Sequence, residues 1–292
     1  MKRPPAVDFV LTLGALAVAS FLAGIAGSYL GIGGGILLVP FMTLVLQLDI
    51  KVAVAASLVG VIATSSGAAS VYVRDHLTNL RLGMFLEVAT SLGAISGAFI
   101  ALLVDRNALF VVFGAVAIYA AGYMVRARDT ARSRAYREGK ESPLAERLKL
   151  GDAYFDKEDQ GVYRYKVARP GAGFLVSTVA GGISGLLGVG GGIIKVPMMH
   201  VLMRVPMKPA VATSNFMIGV TAAASAFIYY SRGVLDPALA GVIVLGVFTG
   251  TRLGTRMMAK AKAGRVRLAF AALLVAVGVF MILRPLLPGV TF

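Results

Sequence analysis

Gly31-Ile-Gly-Gly-Gly-Ile-Leu-Leu-Val-Pro40 returns as Gly188-Val-Gly-Gly-Gly-Ile-Ile-Lys-Val-Pro197, each time inside a long apolar run. Three consecutive glycines cost about 1 kcal/mol each relative to alanine in a helix interior, so an ordinary spanning helix has no use for them. In a soluble chain such a stretch suggests a nucleotide-binding loop. Its apolar surroundings argue against that, and no G-x-x-x-x-G-K-[ST] motif occurs, which excludes an ATP-driven pump built from this chain alone.

Outward from the glycines, the two halves keep one register without gaps. At the constant offset of 157 that separates Pro40 from Pro197, Gly24 matches Gly181 and Lys51 matches Lys208. Ser57 matches Ser214, Thr64 matches Thr221, Tyr72 matches Tyr229 and Gly97 matches Gly254. A fixed register that includes Lys, Pro and Tyr is a duplication, not a coincidence of apolar composition.

The composition sets the solvent. Of 292 residues, 58% are hydrophobic and 15% charged, with a mean hydropathy of +0.81, the profile of a polytopic membrane protein. The net charge of +15 fits basic loops facing the cytoplasm and anionic lipid, and nucleic acid is not an expected partner. There are no cysteines and two histidines, His76 and His200, so neither a thiolate metal site nor a histidine-based one is expected, and no cofactor is implied.

The apolar segments are Val7 to Leu46, long enough for two crossings, then Val52 to Val73, Leu82 to Val104 and Ala108 to Val125. Residues 126–169 hold no spanning segment and form a linker, basic at its start and acidic around Asp156, Glu158 and Asp159. Ser142-Pro143 is placed to start a short helix through Leu150. Tyr163, Tyr165 and Val167 alternate with Arg164 and Lys166, which predicts an extended strip lying at the headgroup level. The second half continues with Phe174 to Met203, Ala210 to Tyr230, Ala238 to Met258 and Leu268 to Leu283. Phe174 to Met203 supplies about 45 Å of helix, short of the roughly 60 Å of two crossings, and leans toward a re-entrant hairpin. Lys2 and Arg3 before an apolar run imitate a secretory signal, but the run continues to Leu30 and reads as a retained first helix.

The expected fold is all-α and polytopic. It comprises a first membrane repeat (7–125), a cytoplasmic basic linker (126–169) and a second repeat (170–284), with about eight to ten membrane segments. Positive charge clusters in the loop of Arg256, Lys260, Lys262, Arg265 and Arg267, whereas the matching turn at Asp105 and Arg106 has little; Arg74 and Arg81 flank a loop whose counterpart holds only Arg232. That swap predicts inverted topology, although it puts Lys2 and Arg3 outside. Inverted repeats with matched interruptions point to a secondary transporter with substrate near the midplane.

The doubled Gly-x-Gly-Gly-Gly with its proline, Ala53-Val54-Ala55-Ala56-Ser57, Ala210-Val211-Ala212-Thr213-Ser214-Asn215 and the basic linker together resemble the TauE/SafE family of sulfite and organosulfonate exporters. The resemblance covers nearly the whole chain apart from linker and termini. It implies a multi-pass inner-membrane permease for a small anion such as sulfite or a sulfonate, driven by an ion gradient, with H+ as the leading coupling ion and a homo-oligomer as one option. The alternatives are a passive anion channel and a membrane sensor acting through the linker. An enzyme is least supported, since no nucleophile and base pair stands out.

Candidate residues are set by the chemistry of an anion in a membrane. Gly33, Gly34, Gly35 and Gly190, Gly191, Gly192 can break a helix and leave N–H groups at a new helix start, which favours negative charge; close helix packing is the alternative role. Pro40 and Pro197 should kink the helices that run on from them. Lys195, whose counterpart is Leu38, is expected to face a cavity or an acid as the fixed positive charge for an anion; snorkelling to the cytoplasmic surface from a shallow hairpin is the alternative. Ser57, Thr213, Ser214 and Asn215 offer neutral hydrogen bonds. Glu87, opposite Val244 in the repeat, is either a protonatable coupling group or a partner for a basic residue. Arg252 and Arg256 lie one turn apart and are expected to snorkel, and His200 to be structural.

Overall fold

The computed structural model describes residues 6–31, 33–126, 142–156, 160–260 and 264–286. Lys2, Arg3, the linker's Arg128, Arg132, Arg134, Arg137, Lys140, Glu158 and Asp159, and Lys262 lie outside them, as do the side chains of Arg126, Lys260, Arg265 and Arg267.

The first half is built from α1 (Ala6–Leu30), α2 (Gly35–Pro40), α3 (Ile50–Arg74), α4 (Leu80–Leu103) and α5 (Arg106–Arg126). The linker adds α6 (Pro143–Arg147) and the strands β1 (Asp152–Asp156) and β2 (Gly161–Tyr165). The second half is α7 (Pro170–Leu187), α8 (Gly192–Pro197), α9 (Met207–Ser231), α10 (Pro237–Lys260) and α11 (Gly264–Leu283). Bounds repeat at the sequence offset: α2 with α8, α3 with α9 and α4 with α10 start and stop at matched residues.

Local chemistry explains the matched ends. Asn79 and Asp236 are counterparts, and each caps the helix after it: Asn79 Oδ1 accepts from the Leu82 N–H at 2.9 Å and Asp236 Oδ1 from the Ala238 N–H at 2.8 Å. Pro40 and Pro197 end α2 and α8 and are followed by π turns, Phe41–Val45 and Met198–Leu202. A proline lacks the N–H that would close the α ladder, so the helix widens there. The counterparts Gln47 and Arg204 both turn the chain with left-handed backbones, φ 53° and 59°.

Among the described residues seven helices are long and apolar enough to cross a membrane, and three apolar segments are shorter: Gly35–Val45, Gly192–Leu202 and Ala271–Leu283. The arms α2 and α8, six residues each plus a five-residue π turn, rise only about 16 Å. They are too short to cross, as expected from the length of the second glycine block. On α4, Met84, Val88, Leu92, Ile95 and Phe99 are exposed at helical spacing while Leu82, Leu86, Ala89 and Ala94 are buried. An apolar face presented outward in this way belongs against lipid.

The halves are interleaved. α1 packs mainly on α10, α7 mainly on α4, α3 on α9 and α5 on α11. The first two interfaces close on small residues, with Gly93 of α4 against the Thr178 backbone and its counterpart Gly250 of α10 against the Phe21 backbone. The linker folds onto this bundle. Tyr165, Val167 and Leu150 are buried with Leu82, Met199, Met203 and Val205. Arg164 and Lys166 stay exposed, so the expected alternation holds, but its apolar side covers protein. The extended strip is half of an antiparallel pair, Tyr154 opposite Tyr163. Lys208 of α9 bonds Asp156 of β1 at 2.7 Å.

Candidate functional site

The two glycine turns meet. A Cβ on Gly35, in the first turn, would overlap the Gly188 carbonyl in the second, so only glycine permits this approach. Gly188 itself has φ 71°, which disfavours any side chain. The backbone at Gly33 and Gly190 is also left-handed, but Gly34 is right-handed, φ −68°, where its counterpart Gly191 is left-handed, φ 73°.

Matched side chains hold the turns. Ser57 donates to the Gly188 carbonyl and Ser214 to the Gly31 carbonyl, both at 3.0 Å. Tyr72 donates to the Ser28 carbonyl and Tyr229 to that of Gly185, again both at 3.0 Å. Through its serine each half thus clamps the glycine turn of the other, while its tyrosine ties α3 or α9 to the first helix of its own half.

One side of this centre is ionic. Lys195, on the arm beyond the second turn, is fully buried, and Glu87 of α4 is 8% exposed. Nζ donates to Thr221 Oγ1 at 2.7 Å, and Glu87 Oε2 lies 3.9 Å from Nζ. Thr221 Oγ1 in turn lies 2.8 Å from Glu87 Oε1, so the hydroxyl bridges the charges. Thr90 and Ser91, one turn beyond Glu87, donate to its two oxygens at 2.9 Å. Ser184 of α7 is buried, its Oγ without a hydrogen-bond partner among the described residues, and with the Lys195 stem it flanks Gly191.

The other candidates are placed elsewhere. Thr213 Oγ1 accepts from the Asn79 N–H at 3.0 Å and supports the start of α4. Asn215 bonds the carbonyls of Ser28 and Val211, and its buried Oδ1 has no partner among the described residues. Nδ1 of His200 is 2.9 Å from the Val205 carbonyl in the turn before α9. Arg252 and Arg256 line an open cavity of about 390 Å³ with Arg74, Lys208 and Tyr72. Sequence reasoning found Lys195 and Glu87 singly and missed Thr90, Ser91 and Ser184. The available signal was Glu87, Thr90 and Ser91 at helical i, i+3, i+4 spacing.

The arrangement offers a positive charge with spare donors, an acid held, among the described residues, by hydroxyls and that lysine, and glycine backbone beside them. Among the described residues no cluster of His, Cys, Asp and Glu has metal-binding geometry.

The family model "Sulfite exporter TauE/SafE" matches residues 16–281. The chain is 27% identical over 274 residues to "Probable membrane transporter protein YunE" of Bacillus subtilis, covering 90% of this chain and 94% of that one. It is 25% identical over 291 residues to a "Probable membrane transporter protein" of Methanocaldococcus jannaschii, with 94% and 97% covered. A protein of the same description from Xylella fastidiosa is 25% identical over 280 residues, with 95% and 96% covered. No solved structure matches.

Proposed function

The chain belongs to the sulfite exporter TauE/SafE family of membrane transporters, and from that premise we propose that it is a secondary transporter of a small anion, a sulfur oxyanion or sulfonate. The anion binds at the meeting of the two glycine turns with Lys195 as its counter-charge. The observation that carries this reading is a fully buried lysine beside a helix interruption in a membrane protein. The repeats are inverted in the bilayer, and the two halves rock about the clamped turns to open the site to alternate sides. The linker faces the cytoplasm, where anionic lipid meets its basic residues.

Glu87 supports ion coupling over passive flow, because a channel has no need of a buried acid beside its anion-attracting lysine. Purified protein in proteoliposomes should concentrate sulfite or methanesulfonate when a pH gradient is imposed. Lys195→Met should lose binding of both. Simple equilibration that ignores every imposed gradient would favour a channel, and absence of any flux a sensor.

A further inference from the structure

We propose that the anion and Glu87 alternate as the counterion of Lys195, so that each anion occupies the site together with one proton bound to Glu87. This deepens the anion-transport reading and rests on it.

An ammonium has three N–H donors. Thr221 takes one at 2.7 Å, while Glu87 Oε2 at 3.9 Å is too far for a direct hydrogen bond. Lys195 is therefore paired with Glu87 through a hydroxyl, and donors remain for a second acceptor. Ser184 Oγ, buried and unpartnered among the described residues, belongs to a side chain that meets the Gly191 Cβ position together with the Lys195 stem and adds a further donor there.

Charge then fixes the rest. With Lys195 charged and Glu87 ionised the cluster is neutral. A monovalent anion added to it would leave one uncompensated negative charge in a buried site, which is strongly disfavoured. A proton from water, taken up on a Glu87 oxygen, restores neutrality, and the anion then occupies the carboxylate's place beside Nζ.

The surroundings of Glu87 suit both of its forms. Besides Lys195, its partners are the hydroxyls of Thr90, Ser91 and Thr221. A hydroxyl can donate to a carboxylate or accept from a carboxylic acid, whereas backbone N–H groups or an arginine would hold the ionised form. Among the described residues no other charge faces Glu87. Of the helices packed on α4, α7 contains no ionisable residue. On α9, Lys208 pairs with Asp156, Tyr229 donates to Gly185 and Tyr230 is exposed. Arg81, on α4 itself, is exposed. The matched place in the first half has Leu38 and Val244 and offers no second site, so one anion and one proton move per cycle, in the same direction and without net charge.

The test is calorimetric titration of the purified full chain with methanesulfonate, which carries one fixed negative charge, and separately with sulfite. Titrations in two buffers of different ionisation enthalpy count the protons exchanged. The wild type should take up one proton per methanesulfonate, with affinity falling about tenfold per pH unit once Glu87 is ionised in the free protein. Glu87→Gln should bind without proton uptake and without that slope. Binding that needs Lys195 but takes up no proton in the wild type overturns the exchange and leaves the anion site standing. Binding that survives Lys195→Met, or no binding of either anion, overturns both. The proton count in the wild type requires no variant, so a variant that fails to fold does not shelter the proposal.

Discussion

Lys195 sits with Glu87, Thr90 and Thr221, whereas the matched place in the first half holds Leu38, Val244, Val247 and Thr64. There Leu38, Ile243 and Val247 converge on Gly60, and Thr64 donates to its own helix, to the Gly60 carbonyl at 2.9 Å. The bounds of the matched helices and the serine and tyrosine clamps are shared between the halves, so the fold does not require the charges. What the difference teaches is that the scaffold tolerates an apolar plug at this position, and the ion pair is an addition with its own purpose.

The largest expected effect comes from forcing the halves to be alike. Leu38→Lys places an ammonium where the matched α10 position is Val244, and should cost about 3–5 kcal/mol in thermal unfolding of detergent-solubilised protein. Adding Val244→Glu should recover a good part of that loss. A Leu38→Lys variant as stable as the wild type would show that the first site is wet or open, and the comparison would fail.

Next comes the reverse change. Glu87→Leu strands Lys195 and should destabilise by about 3 kcal/mol, while Glu87→Leu combined with Lys195→Leu should be markedly more stable than the single variant. Additive losses would mean that the two residues are not energetically paired. The smallest effect tests the shared part. Ser57→Ala and Ser214→Ala each remove one clamp bond and should cost about 1 kcal/mol, equally. A clear inequality in their unfolding would show that the turns are not mechanically equivalent.

Much of this was legible from the chain. Pro40 with Pro197, Lys51 with Lys208 and Tyr72 with Tyr229 fix the duplication, and the short second glycine block points to arms that do not cross. Lys195 and Glu87 each stand out because a charge in an apolar segment is costly. Their pairing was not legible, since α4 and α8 belong to different halves and are brought together by the packing of α4 on α7 and α9. Ser57 and Ser214 read as hydrogen-bond donors for a ligand, and the structure directs those donors at the opposite turn. A hydroxyl in a membrane helix carries the same signal for either partner. The β pair of the linker was visible only as an extended strip, because its second strand, Asp152–Asp156, is too polar to stand out.

The interleaving of α1 with α10 and of α7 with α4 has a consequence for how such a chain comes to exist. Neither half owns the partner of its own first helix, so a half-length polypeptide would leave that helix without its packing surface until a second copy supplied it. The arrangement is that of a helix-swapped dimer whose two subunits have been joined end to end. Joining them made the copies free to diverge, and one copy could then acquire an acid and the other a base that a symmetric pair would have had to carry twice.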